Sequence, residues 1–334
     1  MLPAARATPG NRASPGNRDS RDHIVLGAAA IPEPDRDWLA AAEKLPLASV
    51  WQGGHLLPPS PTGEAITRLA FLAAWTERLR IGTAVLLLPL YHPVVVAKQL
   101  ADLDARSGGR VSVGIGVGGE FPAEFDAVGV PLAERGPRTD EAMEVLRLLW
   151  SGGQQTHHGK FFDLENVELR PVRTANSNGM QEHGPPLIVS GRKSPATRRA
   201  ARLGDGWMPY LVSPDAYARS VSAIRDEAQK AGRDLAGFEW LLYLYCSVRR
   251  DGDRAREDVA GFLGRAYGGK PAAMLDRIAP AGTPAEVAAR LQEYVDAGAR
   301  HIVISPAAAT ETLEIVTLAA EEVLPRLVVR DKTT

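Results

Sequence analysis

His55 sits in the stretch WQGGHLLPP, with glycines before it and prolines behind it. An imidazole can give or take a proton near neutral pH. The glycines give this loop freedom and the prolines restrict it. Its place just past an apolar run favours proton transfer over a loop histidine satisfied by backbone. A second group is GIGVGGE at 114–120. Gly116, Gly118 and Gly119 let the backbone pass under a flat ligand or a neighbouring loop. The ligand side is favoured, because these glycines crowd at the end of a strand. The stretch is a poor dinucleotide fingerprint: it follows the fourth strand, and Pro122 stands where a long phosphate-binding helix should begin. Glu120 reads equally as a ligand contact or a solvated loop acid. A third group is Ser190, Gly191 and Arg192, followed by Lys193 and Ser194. A hydroxyl, two cations and the free N–H groups of a first helical turn make an anion site, and a phosphate is the favoured occupant over a simple cap with surface cations. Tyr91 and His92 either line a pocket or cap the turn before Pro93. Trp207, Met208 and Tyr210 serve equally as an apolar ligand wall or as core.

Other chemistries find no support. His157, His158, His183 and His301 show no metal-ligand spacing, so no metal is expected. There is no G-x-S-x-G elbow and no P-loop. Cys246 lies inside an apolar strand and reads as core rather than nucleophile.

These groups need a scaffold that brings them to one face. Thr76 to Gly119 runs strand, loop, helix, strand, Gly-rich loop. The strands are short Val/Ile/Leu runs, the pattern of a parallel sheet buried on both faces. Such folds place ligands just past the carboxyl ends of their strands. The alternation predicts strands at 23–30, 47–52, 79–86, 110–116, 186–191, 204–210, 238–249 and 300–306. Helices are predicted at 37–44, 65–78, 93–106, 134–150, 195–203, 215–231, 253–263, 284–297 and 311–324. The stretch 157–171 alternates like an inserted hairpin, and 264–282 reads as irregular. Eight strands alternating with helices predict an α/β fold, a (β/α)8 TIM barrel with insertions. A Rossmann fold needs a Gly-rich turn after strand one, where this chain has Ala28, Ala29, Ala30, Ile31 and Pro32.

The bulk numbers agree. The chain has 334 residues, 45% of them apolar. A barrel occupies roughly 250 residues or more as one domain. The expected division is a disordered tail at 1–22, one barrel at 23–328 with an insertion about 153–185 and a variable segment about 264–282, and a tail at 329–334. The net charge of −1 gives no reason to expect nucleic acid or an anionic membrane as partner. A single cysteine rules out an internal disulfide and suits a reducing cytoplasm. No run of about 18 apolar residues is present to span a bilayer. Residues 1–22 echo TPGNR and SPGNR and lack the apolar run of a secretory signal.

Taken together, SVWQGGHLLP (49–58), TERLRIGTAVLLLPLYHPVVVAKQLADLDARSGGRVSVGIGVGG (76–119), EFDAVGVPLAERGPRTDEAMEVLRLLWSG (124–152), HGKFFDLENVELRP (158–171) and IVSGRKSPATRRAARLGDGWMP (188–209) resemble the luciferase-like monooxygenase superfamily. The likeness runs from residue 24 to about 325 and is nearest the F420-dependent branch. It implies a flavin or deazaflavin at the carboxyl face, coenzyme F420 with FMN as the alternative. It implies a cis peptide at Ala84–Val85 under the ring, a catalytic role for His55, and a phosphate at Ser190, Gly191 and Arg192. It also implies a small organic substrate shaped by 264–282, a homodimer, and, for FMN chemistry, a separate reductase. One departure stands out. Deazaflavin-dependent members carry Ser-Asp-His where this chain has Gly53-Gly54-His55, which removes a hydrogen-bond partner for ring or histidine.

Overall fold

Side chains alternate along a strand, so each apolar run offers one row to the helices and one to the interior. In the computed structural model, which describes residues 23–29, 35–59, 61–170, 184–267 and 278–330, the runs form strands on this plan. The order is β1 (Val25–Ala29), α1 (Arg36–Ala42), β2 (Ser49–Gln52), α2 (Ala65–Trp75), β3 (Arg80–Leu87), α3 (Pro93–Ser107), β4 (Val111–Gly116), α4 (Pro122–Ala127) and α5 (Arg135–Trp150). The chain continues through β5 (Gln154–His158), β6 (Asp163–Glu168), β7 (Leu187–Ser190), α6 (Ser194–Leu203), β8 (Gly206–Met208), α7 (Pro214–Lys230) and β9 (Glu239–Val248). It ends with α8 (Gly252–Tyr267), β10 (Ala281–Gly282), α9 (Pro284–Asp296), β11 (His301–Pro306) and α10 (Thr312–Leu318).

Eight parallel strands pair in the order β1-β2-β3-β4-β7-β8-β9-β11, and pairing of β11 with β1 closes the ring. This is the expected (β/α)8 barrel. The outward rows (Leu26, Val50, Ile81, Val113, Val189, Leu242, Ile304) meet the helices in one continuous buried core. The inward rows form a separate, smaller cluster of Trp51, Ile188, Met208, Leu241 and Val303. Caps fix where the helices begin. Thr283 and Glu286 form the reciprocal capping box expected from their spacing, with Pro284 in the first turn of α9.

The structure differs from the sequence reading in three places. The hairpin starts earlier: β5 occupies 154–158 and pairs antiparallel with β6, and residues 171–183 of the expected insertion lie outside the described residues. The segment 264–282 is not irregular throughout. Helix α8 reaches Tyr267, and β10 adds to β9 through Ala281↔Ser247 and Gly282↔Val248, while 268–277 lie outside the described residues. The last helix keeps regular α geometry only to Leu318. It then widens through Val323 and closes in a tighter 3-10 turn at Leu324–Arg326, with Pro325 inside it. The expected tail at 1–22 also lies outside the described residues. Among the described residues no helix is long and apolar enough to cross a membrane.

Candidate active site

The carboxyl ends of β2, β3, β4, β7 and β8 bring the sequence-selected groups to one end of the barrel. His55 follows β2. Its ring stacks edge-on against Phe121, with centroids 4.9 Å apart. Its Nδ1 lies 3.2 Å from Glu124 Oε2, and the Glu124 side chain is fully buried. The same carboxylate accepts the backbone N–H of Leu56 at 2.6 Å and of Leu57 at 3.1 Å. Three donors therefore converge on one buried carboxylate. A buried anion is stable only when bonded this way. With Nδ1–H given to Glu124, the neutral ring keeps an Nε2 lone pair with no hydrogen bond to the described residues.

Glu124 is the residue that sequence reasoning missed. It lies in the first turn of α4, where a carboxylate usually serves its own helix end. Here it turns away to the loop after β2, and nothing in the spacing from residue 55 to residue 124 signals that. The contact also accounts for the missing aspartate. A Cβ on Gly54 would lie 2.5 Å from Ala65 N and 2.5 Å from Gly63 O, so the chain has no room for a side chain there. The acid beside the histidine comes from the first turn of α4 instead.

Next to this pair the barrel offers a flat shelf. The Ala84–Val85 peptide is cis, at the position the resemblance indicates. Ala84 and Val85 pack on Trp51 and Met208 of the interior. Gly116 closes β4, and a Cβ there would reach to 2.5 Å from Val85 Cγ2. Gly118 follows in the left-handed region at φ 64°. A planar ring laid on this peptide would meet backbone and small side chains, which suits a tricyclic cofactor.

Across the shelf the remaining groups divide. Ser190 ends β7, and the Gly191 carbonyl accepts Trp207 Nε1–H at 2.8 Å. Arg192 is exposed, lies 5.4 Å over the Tyr210 ring and points donors at the Tyr210 and Leu211 carbonyls, at 3.5 and 3.3 Å. Those are weak partners for a guanidinium. The hydroxyl, this arginine and the amino end of α6 fit an anionic tail. Tyr210 also donates to Glu120 Oε1 at 3.2 Å, so Glu120 is neither free acid nor isolated: it ties the β4 and β8 loops together. Tyr91 donates to Glu64 Oε1 at 2.7 Å, and burial with this carboxylate pushes the phenol's pKa far up, so it stays protonated. Burial works against ionised Glu64, but the N–H groups of Ile66 and Thr67 outweigh it and hold its pKa below the usual range.

Two residues expected at the pocket lie elsewhere. Trp207 points outward and stacks on Tyr217 of α7 at 5.1 Å, fully buried; of the β8 pair only Met208 faces the interior. His92 caps α3 by accepting Val94 N–H at 3.4 Å and meets Phe162 of the hairpin at 5.7 Å, so it serves the helix start. Cys246 is buried in the outer core, where burial pushes its thiol up to about 12.

A family model described as luciferase-like monooxygenase matches residues 26–301. The chain belongs to the luciferase-like monooxygenase family. An uncharacterized protein of Mycobacterium bovis is 36% identical over 198 residues, 59% of this chain and 65% of the relative, so the alignment spans under two thirds of that relative's length. The F420-dependent glucose-6-phosphate dehydrogenase of Beutenbergia cavernae is 30% identical over 89% of this chain and 95% of its own. Among solved structures, an F420-dependent secondary alcohol dehydrogenase bound to an F420-acetone adduct superposes with a TM-score of 0.77, covering 92% of this chain and 100% of that one at 22% identity. At that identity the match shows the fold alone. The luciferase-like architecture thus accounts for the barrel, and the His55–Glu124 pair occupies its strand-two turn.

Proposed function

We propose that this luciferase-like enzyme is an F420-dependent oxidoreductase acting on a small organic substrate, with His55 as the proton donor or acceptor. A bound deazaflavin would supply two-electron chemistry at carbon. The chain's own residues would do the rest. The Ala84–Val85 peptide and Gly116 would carry the ring, and Ser190, Gly191 and Arg192 would hold its phosphate. In the oxidation of an alcohol to a carbonyl, a bound deazaflavin would supply the two-electron acceptor, and His55 Nε2 would take the hydroxyl proton; in the reverse direction His55 would return it. Glu124 holds the ring so that Nε2 is the atom presented, and it stabilises the imidazolium once the proton arrives.

The observation that carries this reading is the buried Glu124 carboxylate on His55 Nδ1 beside the shelf. The similarity to F420-dependent dehydrogenases supports the deazaflavin over FMN. Titrating the protein with F420 and with FMN, followed by absorbance and fluorescence, tests the cofactor. Tight F420 binding is expected; tight binding of FMN alone would make the protein an FMN-dependent monooxygenase served by a reductase. His55→Ala should keep cofactor affinity and lower turnover roughly 100- to 10,000-fold. Turnover unchanged in that variant would remove His55 from the chemistry.

A further inference from the structure

We infer that the wall of β9 and β11 is the substrate side of the site, and that it selects an uncharged, ring-sized molecule bearing a hydroxyl or carbonyl and rejects sugar phosphates. The inference rests on the deazaflavin reading for its geometry. In the eight-strand ring, β9 lies opposite β3 and β11 opposite β4, so this wall faces the shelf across the barrel. On β11, Val303 faces the interior, and alternation sends Ser305 the same way. Ser305 is fully buried and its hydroxyl has no hydrogen-bond partner among the described residues. On β9, Leu241 faces the interior with Tyr243 packed on the same cluster, and Tyr245 continues the row. Both tyrosines are half-buried. Their rings meet edge-on at 5.9 Å, and Tyr245 leans on Phe262 of α8 at 5.4 Å. The wall is thus two aromatic rings, with the Ser305 hydroxyl level with Tyr245 and one inward-facing position nearer the carboxyl end than Tyr243.

Its charges oppose a phosphate. Arg249, at the end of β9, is saturated: Nε meets Asp258 at 2.9 Å, and Nη1 meets Glu311 at 3.0 Å and Glu314 at 2.7 Å. Arg250, Arg254 and Arg256 are also paired, with Glu322, Glu311 and Asp253. From Arg249 to Arg256 each described guanidinium already faces a carboxylate, and those carboxylates would repel a dianion. An aromatic wall with a buried hydroxyl suits a neutral ring instead.

Ligand binding to the whole protein, with and without F420, separates the possibilities. Intrinsic fluorescence and calorimetry would follow 1-tetralol, a neutral ring-bearing secondary alcohol, and glucose 6-phosphate. Saturable tetralol binding is expected, with none by glucose 6-phosphate at the same concentrations. Tyr243→Ala should weaken tetralol roughly 5- to 10-fold and leave F420 affinity unchanged. Ser305→Ala is the smaller change and covers the case in which Tyr243→Ala does not fold; it should raise KM for tetralol with kcat less affected. Tighter binding of glucose 6-phosphate than of tetralol, or tetralol affinity indifferent to both variants, overturns the wall. Tetralol binding that depends on Tyr243 in a protein that takes no F420 would sink the cofactor reading and leave this one standing.

Discussion

The two ends of the barrel treat polar groups in opposite ways. At the amino end, Arg80 holds Glu239 with two bonds of 2.9 Å and Ser112 with a third of 2.6 Å. His301 shares a 2.6 Å bond with Ser49, which accepts Trp51 Nε1–H at 2.8 Å. Every group there is satisfied by a neighbour, and the floor is locked. At the carboxyl end, His55 and Arg192 are held only in part by their neighbours. His55 is held through Nδ1 and keeps Nε2 open; Arg192 rests on a ring and two carbonyls with no carboxylate. A network closed on itself contributes rigidity, and one tied at a single atom contributes an aimed reactive group.

Substitutions at the two ends should therefore fail differently. Glu124→Ala strips the acceptor from His55 and leaves the Leu56 and Leu57 amides unpaired. It should cost both turnover, by at least roughly tenfold, and stability, by about 2–4 kcal/mol in denaturant unfolding. Glu124→Gln keeps an acceptor for the amides and should restore most of the stability and less of the turnover. Equal recovery of both would mean that Glu124 only braces the loop.

Glu239→Ala at the floor should lower stability and spare cofactor binding and KM. A fully dry pair would lose about 3–5 kcal/mol when one partner is removed. Arg80 keeps 37% of its side chain accessible, so solvent screening brings the expectation nearer ~2 kcal/mol. A changed KM would break the contrast between floor and mouth.

Acid should destabilise the floor in two steps. Burial chiefly holds the His301 pKa below its ordinary 6.5. Burial opposes ionised Glu239, yet Arg80 overrides it and holds that carboxyl far below its ordinary 4.5. Both pKa values are lower folded than unfolded, so each contribution is present above the unfolded value and is lost as pH falls through the folded one. The melting temperature should drop below pH 6.5 through His301 and again below pH 4.5 through Glu239. His301→Gln should flatten the first step in a calorimetric pH series. The smallest expected effect is at Cys246: with its thiol at about 12 and no exposure, thiol reagents should leave the native protein unmodified. Rapid labelling would show the outer core opening locally.

How legible each part was follows from the range of its interactions. The barrel could be read because each strand needs only its own apolar run and each helix its own cap and stop. His55, Gly116 and Ser190 could be picked out for the same reason: each lies at or just past the carboxyl end of a strand. Trp207 and Met208 could not be told apart, since one register position decides which faces α7 and which the interior. His92 read as pocket or turn cap because it lies past strand three; the α3 helix start claims it.

The amino-acid sequence by itself determined the fold and which end of the barrel gathers an imidazole, a run of glycines and the Ser190–Arg192 turn, because these rest on periodicity and short spacing. Tertiary structure alone decided that Glu124, 69 residues from His55 along the chain, is its partner, that Gly54 has no room for an acid, and that β9 faces β3. Those are contacts between distant segments, made only when the ring of strands closes.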